Sequence, residues 1–193
     1  LEDRSLSAIT WTATLRSRGT GLIRHNVFFS RAYEREFGEV STGDMISDPT
    51  VYVCAQDRGD DDAARDEAER LLILINAPAR GDHERYTMQQ VERSLDAVTE
   101  RLGLCGVNLD PKPQHHTVTT PADFAALLPG TGGALYGRAS HGWRATFERH
   151  GTRSRLPGLY FAGGSIHPGA GVPMAALSGW TSAQCVMTDL TSA

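Results

Sequence analysis

Residues 158–179 read GLYFAGGSIHPGAGVPMAALSG, and their interpretation decides the fold. Gly158, Gly163, Gly164, Gly169 and Gly171 fall between an apolar run and a proline-led segment. Glycine gives up more conformational freedom on folding than any other residue, so such a cluster needs backbone at positive φ or a group that approaches closely. Leu159-Tyr160-Phe161-Ala162 reads as a short buried strand, apolar on both faces. From Pro173 onward the chain reads as a helix, with proline in the first turn, where its missing N–H is harmless. Strand, glycine loop and helix N-terminus together offer free backbone N–H groups to a ligand. By physics alone two readings stay open: a tight turn ending a core strand, or a binding loop.

The rest of the composition narrows the class. The chain has 193 residues, 40% of them hydrophobic and 22% charged, which is globular and allows one large or two small domains. A net charge of -4 argues against a nucleic-acid surface. Cys54, Cys105 and Cys185 lie far apart with no CxxC, so neither a disulfide framework nor a zinc knuckle is expected, and a reducing, cytoplasmic setting fits. The longest apolar run, Leu71 to Ile75, is strand-sized and far short of the roughly 18 residues of a spanning helix. The start, LEDRSLSAITW, has neither initiator methionine nor signal-peptide pattern and reads as if it lay within a longer protein.

Further along, Ile23, His25, Val27 and Phe29 alternate with other residues as in a strand, and Val51 to Ala55 and Leu71 to Ile75 are two more strand candidates. The acidic stretch from Asp57 to Glu69 between them reads as a solvated loop. Thr87 to Leu102 is the clearest helix: Thr87 and Gln90 stand at capping-box spacing, Val91, Leu95, Val98 and Leu102 form one stripe, and Gly103 can end it. His115 to Thr119 suggests another strand, and Thr120-Pro121-Ala122-Asp123 opens a short helix through Leu128. The break Pro129 to Gly133 marks a domain crossover, giving domains 1–128 and 129–193. In the last helix, to about Leu190, Ala176, Trp180, Ala183, Met187 and Leu190 form an apolar stripe. Ala175, Ser178, Gly179 and Ser182 form a face of small residues that admits close backbone packing.

Several sites are excluded: no HExxH, GxSxG, Walker A or EF-hand pattern occurs. His83 and His115-His116 lack partners at metal-ligand spacing. The dinucleotide fingerprint GxGxxG is also missing; Gly19-Thr20-Gly21 and Gly130-Thr131-Gly132 have Arg24 and Leu135 at the third glycine position. His167 is either a proton carrier or a loop-ordering hydrogen bonder.

The run LPGLYFAGGSIHPGAGVPMAALSG resembles the C-terminal flavin-binding segment of bacterial carotenoid desaturases, the phytoene desaturase group of the amine-oxidase-like flavoproteins. HNVFFSRAYEREF (His25 to Phe37) and TPADFAALLPGTGGALYGRASHGW (Thr120 to Trp143) resemble the same family, the latter being most similar to its hydroxyneurosporene/methoxyneurosporene dehydrogenase branch. The resemblance runs from about Arg4 to the end. It implies an α/β fold with an α+β substrate part: the C-terminal part of an FAD/NAD(P)-binding Rossmann-like flavoprotein, with an antiparallel-sheet substrate domain in 1–128 and a return to the FAD-binding domain in 129–193.

It further implies FAD as cofactor, a long apolar C40 polyene as substrate, and peripheral contact with a membrane. Hydride would pass from an allylic C–H to the flavin with proton loss from the adjacent carbon. Cofactor contact is expected at Gly163, Gly164, Ser165, Gly171, Val172, Pro173 and Met174, with His141 and His167 as candidates for proton handling. The chain departs from the wider superfamily in carrying Gly164 where an acidic residue often contacts the ribityl chain, so contact is expected mainly through backbone. It departs also in lacking the βαβ unit that binds the ADP half of FAD. The alternatives are a non-catalytic apolar-ligand-binding remnant, a polyene isomerase and a retinoid saturase.

Overall fold

The segment SAITWTATLRSRG, Ser7–Gly19, alternates large apolar side chains with threonine and other small polar ones, and it forms the strand on which the first half of the molecule is built. In the computed structural model, which describes residues 4–59, 67–110, 116–139 and 149–192, this strand, β1, is followed by β2 (His25–Phe28), α1 (Tyr33–Thr42), β3 (Val51–Ala55), β4 (Glu69–Ala77), α2 (Met88–Leu104), β5 (Val107–Asp110), β6 (His116–Thr119), α3 (Pro121–Leu127) and α4 (Val172–Thr191). Two compact units result, Leu6–Gly133 and Leu1–Ser5 with Ala134–Ala193.

The first unit holds a six-stranded antiparallel sheet in the order β2-β3-β4-β1-β5, with β6 also paired to β1. Ser7 to Leu15 of β1 face Ala77 to Glu69 of β4 along one edge. On the other edge β6 pairs with Thr10 to Ala13 and β5 with Arg16 to Gly19. Because side chains alternate along a strand, one face collects Ile9, Trp11, Ala13, Leu15, Val51, Val53, Ala55, Leu71, Ile73 and Ile75, all buried. Helix α2 supplies Leu95, Val98 and Leu102 to the same cluster, with Val91 packed at its margin. Thr87 and Gln90 close the expected capping box. The helix runs through Gly103 to Leu104 rather than stopping at Gly103; Gly106, at φ 80°, takes the turn into β5 instead. Helix α3 begins with its own capping box, Thr120 and Asp123, and proline in its first turn.

Polar groups are buried in this unit where they are paired. Arg58 and Glu69 are both about 2% exposed. Arg58 Nε donates to Glu69 Oε2 at 2.6 Å and Nη1 to the Leu22 carbonyl at 2.7 Å, while Ser17 donates to Glu69 Oε1 at 2.8 Å. Glu36 of α1, also buried, accepts from the Thr50 backbone at 3.0 Å, the Thr50 hydroxyl at 2.6 Å and Asn76 Nδ2 at 3.1 Å. Asp48 is pushed up by burial, but the Arg101 side chain, the Arg31 N–H and both positive charges together hold it below the usual carboxylate value.

Three sequence expectations are corrected. Leu159 to Ala162 forms no buried strand: Tyr160 makes an isolated antiparallel bridge to Arg153, and Leu159 and Phe161 remain exposed. The reason is local, since the Pro157-Gly158 turn, with Gly158 at φ 79°, folds the segment back onto 152–154. The last helix packs within its unit by its small-residue side, burying Ser178, while Trp180, Met187 and Leu190 of the apolar stripe are exposed. The expected strand at Ile23 to Ser30 contracts to His25–Phe28.

Replacing Glu69 by Gln removes the buried carboxylate that faces the Arg58 guanidinium. Equilibrium denaturation is expected to show a loss of about 3–5 kcal/mol, and an Arg58→Met/Glu69→Leu double variant is expected to recover most of it.

Candidate flavin-contact loop and an open sheet face

The glycine loop between Ala162 and α4 takes the backbone conformations its sequence requires. Gly163, Gly169 and Gly171 lie at φ 124°, 134° and 109°, where residues with a Cβ are strained. At Gly163 and Gly171 no atom of the described residues lies within 4 Å of the place that a Cβ would occupy. At Gly164 it would touch Ala170 Cα at 3.6 Å, an ordinary contact. Gly163 and Gly171 are therefore set for positive φ and leave their outer side free for an approaching group.

Ser178 holds this loop in place. It is fully buried two turns into α4, where its hydroxyl accepts the Gly163 N–H at 2.6 Å and lies 3.3 Å from the Gly163 carbonyl. Arg149 Nη1 donates to the Gly164 carbonyl at 3.3 Å. Gly171 is the N-cap of α4, and among the described residues no side chain caps the helix. The first N–H groups of a helix have no intrahelical partner, and with proline at residue 173 the donors at this end are those of Val172 and Met174. They carry the partial positive charge of the helix dipole.

The other site candidates are distributed differently. Ser165 sits against Gly137, whose added Cβ would come within 2.6 Å of the Ser165 hydroxyl, so it braces the GALYG segment. His167 donates its backbone N–H to the His150 carbonyl at 2.9 Å. It lines a cavity of about 500 Å³ with Thr152, Arg153, Leu177, Thr181 and Cys185, beside the middle of α4 rather than its first turn. His141 lies outside the described residues. Near the far end of α4, Asp189 pairs with Arg153 and accepts from the Tyr160 hydroxyl. Those two bonds hold its carboxyl below the usual value, and the Arg153 bond is the larger cause.

In the unit Leu6–Gly133 the second face of the sheet is partly covered, with Ala8 and Thr10 buried, and is exposed or half-buried at Thr12, Tyr52, Cys54, Leu72 and Leu74; nothing in the sequence reading singled it out. Two cross-strand rows lie on it. Val27, Tyr52, Leu74, Thr10 and Thr119 form one; His25, Cys54, Leu72, Thr12 and Thr117 form the other. At about 4.8 Å between strands each row spans roughly 19 Å. Tyr52, Cys54, Leu72 and Leu74 are half-buried, whereas their neighbours along the same strands are fully buried on the core face. His25 Nδ1 lies 2.8 Å from the Tyr52 hydroxyl, with the rings stacked. Burial pushes the Tyr52 hydroxyl above its ordinary value, the neighbouring Cys54 adds to this and Arg24 opposes it, so Tyr52 stays neutral. The signal that marks this face is the period-two exchange of aliphatic for threonine and tyrosine across β1, β3 and β4.

A sequence model of the family described as flavin containing amine oxidoreductase matches residues 29–187, which include the glycine loop and strands β3 to β6. The chain belongs to that family. It is 50% identical to a hydroxyneurosporene desaturase of Rubrivivax gelatinosus over 98% of this chain and 36% of the relative. It is 42% identical to a hydroxyneurosporene desaturase of Cereibacter sphaeroides over 100% of this chain and 38% of the relative. A 1-hydroxycarotenoid 3,4-desaturase of a Flavobacterium species is 29% identical over 92% of this chain and 36% of its own length. The chain thus spans a little over a third of the length of the curated relatives it matches. The glycine loop fits the family's flavin: open Cβ sides at Gly163 and Gly171 admit a flat ring close to the backbone, and the uncapped helix end supplies donors.

Ser178→Ala removes the acceptor of the Gly163 N–H. The expected loss is about 1–3 kcal/mol, read in full-length protein as faster amide hydrogen exchange confined to the segment around Gly163.

Proposed function

We propose that the full-length protein is an FAD-dependent carotenoid desaturase acting on an acyclic C40 carotenoid, with residues 1–128 serving the substrate and 129–193 the flavin. The observation that carries this reading is the 50% identity to a hydroxyneurosporene desaturase along 98% of the chain. FAD, when bound, supplies the hydride acceptor. Gly163, Gly164 and Gly171 let its ring approach the backbone, and Ser178 fixes the position of Gly163. The N–H groups of Val172 and Met174, with Pro173 setting the first turn, stabilise negative charge there. Ser165 supports the loop from the side of Gly137.

A polyene hydrocarbon offers few hydrogen-bonding handles, so its position is set by apolar surface and exclusion of water. The open rows containing Val27, Tyr52, Leu72 and Leu74 provide such a surface for an extended ligand. No helix among the described residues is long and apolar enough to cross a membrane. We assign access to a substrate dissolved in lipid to peripheral contact with the bilayer, from the cytoplasmic side.

Product analysis of the full-length protein with acyclic carotenoids, hydroxylated and not, tests the reading. Loss of two hydrogens per turnover is expected. Gain of oxygen would favour the carotenoid oxygenase chemistry for which a 30%-identical relative of Methylomonas is named, and an isomer of unchanged mass would favour a polyene isomerase. Leu74→Asp is expected to raise KM about tenfold or more, through a carboxylate that the ligand must desolvate, with flavin content unchanged. Gly164→Asp places a carboxylate that must lose its water beside the loop, where it competes with the Gly164 carbonyl for Arg149, and is expected to lower FAD retention, measured as flavin absorbance after desalting.

A further inference from the structure

The geometry points to Arg149 as the residue that ties the two arms of the glycine loop together, and so as a positioning residue for the flavin. This role rests on the reading above, that the loop receives FAD, and supplies what keeps the ring seat and the helix donors in register. One arm, Gly163-Gly164, leaves Ala162; the other, Gly169-Ala170-Gly171, enters α4. The arms fold against each other. A Cβ on Gly164 would lie 3.6 Å from Ala170 Cα and 3.9 Å from the Gly169 carbonyl oxygen.

Arg149 touches both arms. Its Nη1 donates to the Gly164 carbonyl at 3.3 Å. At Gly169, whose φ is 134°, the place of a Cβ lies 3.5 Å from Arg149 Nε, 3.7 Å from Cζ and 3.8 Å from Cδ. The arginine side chain thus lies along the side that glycine leaves bare. The next residue adds a third tie, since the His150 carbonyl accepts the His167 N–H at 2.9 Å. Ser178 anchors the first arm to α4 through Gly163, and Arg149 carries that anchor across to the second.

A lysine could not take its place. The guanidinium is a rigid plane whose Nε and Nη1 stand at different points, so it bonds one arm while lying against the other; an ammonium is a single point at the end of a flexible stem. A hydrogen bond from a cation is also about twice as strong as one between neutral groups, and Arg149 is half-buried. The second arm leads into the first turn of α4, whose Val172 and Met174 N–H groups serve negative charge. Gly163 belongs to the ring seat. Separating the arms therefore moves the seat from the donors, and that costs reduced flavin, which carries the charge, more than oxidised flavin.

The test uses full-length protein, with FAD affinity read by flavin fluorescence, midpoint potential by dye-linked reduction and loop order by exchange of the His167 amide. Arg149→Met and Arg149→Lys are both expected to weaken oxidised FAD about tenfold. Both should weaken reduced FAD by a further tenfold, a fall in potential of about 30 mV for a two-electron couple, and speed the His167 exchange. The lysine variant keeps the charge and most of the stem, so it decides the matter if the methionine variant does not fold. Arg155→Gln removes an exposed arginine from the same stretch and is expected to match wild type in all three. Full recovery by lysine would assign the effect to charge alone and overturn the clamp, as would an equal effect of Arg155→Gln. Weaker FAD binding with the potential unchanged would make Arg149 a support of the fold only, which also overturns its positioning role. Variants that hold FAD at wild-type affinity and potential overturn it while leaving the desaturase reading intact. Wild-type protein that takes up no FAD overturns the flavin reading itself.

Discussion

Strand β1 is thirteen residues long, and both of its backbone edges need partners. One edge is taken by β4, and the other is shared by β6 and β5 in succession. A strand with both edges paired and one face buried has a single tolerable register, since a one-residue slip would send Trp11 to the open face and Thr12 into the core. The location of the core, the face left open and the position of β2 as the outer edge all follow from that register. Helix α2 can then cover only the side that carries Ile9, Trp11 and Ile73.

The elements most legible in the sequence were those with local signatures. The capping box at Thr87, the N-cap and proline at Thr120-Pro121 and the apolar stripe of α2 depend on spacing within a single helix, and the structure reproduces them. Strands β3 and β4 are dense in branched aliphatics and were equally plain. Strand β1 was harder to see because serine, threonine and arginine outnumber its aliphatic residues; its strand character comes from partners up to about a hundred residues away. Helix α1 was missed for a related reason. Its apolar residues Tyr33, Phe37 and Val40 share one stripe, but of the three only Val40 is buried, and its principal buried anchor is a glutamate, Glu36, satisfied by Thr50 and Asn76.

The glycine loop was readable as a special backbone, and its conformations bear out the need for glycine at Gly163, Gly169 and Gly171. What the sequence did not disclose was the means of holding it. Ser178 was visible only as one small residue among several on α4; its hydrogen bonds to Gly163 arise because the helix and loop fold against each other. The same helix shows how far amphipathic pattern can mislead. A stripe containing Trp180, Met187 and Leu190 normally marks the inward side, yet here the side of Ser178 packs inward.

The Arg58–Glu69 pair has a consequence for the environment in which the sheet can work. Mobile ions weaken attraction between charges that they can surround, over a distance of about 8 Å at physiological strength. Arg58 and Glu69 are closed off from water and linked to Ser17 and the Leu22 carbonyl, so dissolved salt has no path between them. The exposed pairs of Arg70 with Asp57 and Arg80 with Glu84 are open to such screening. The attachment of the Arg58 loop to the sheet should thus be indifferent to ionic strength, and the unit keeps its internal electrostatic anchor whatever the salt around it.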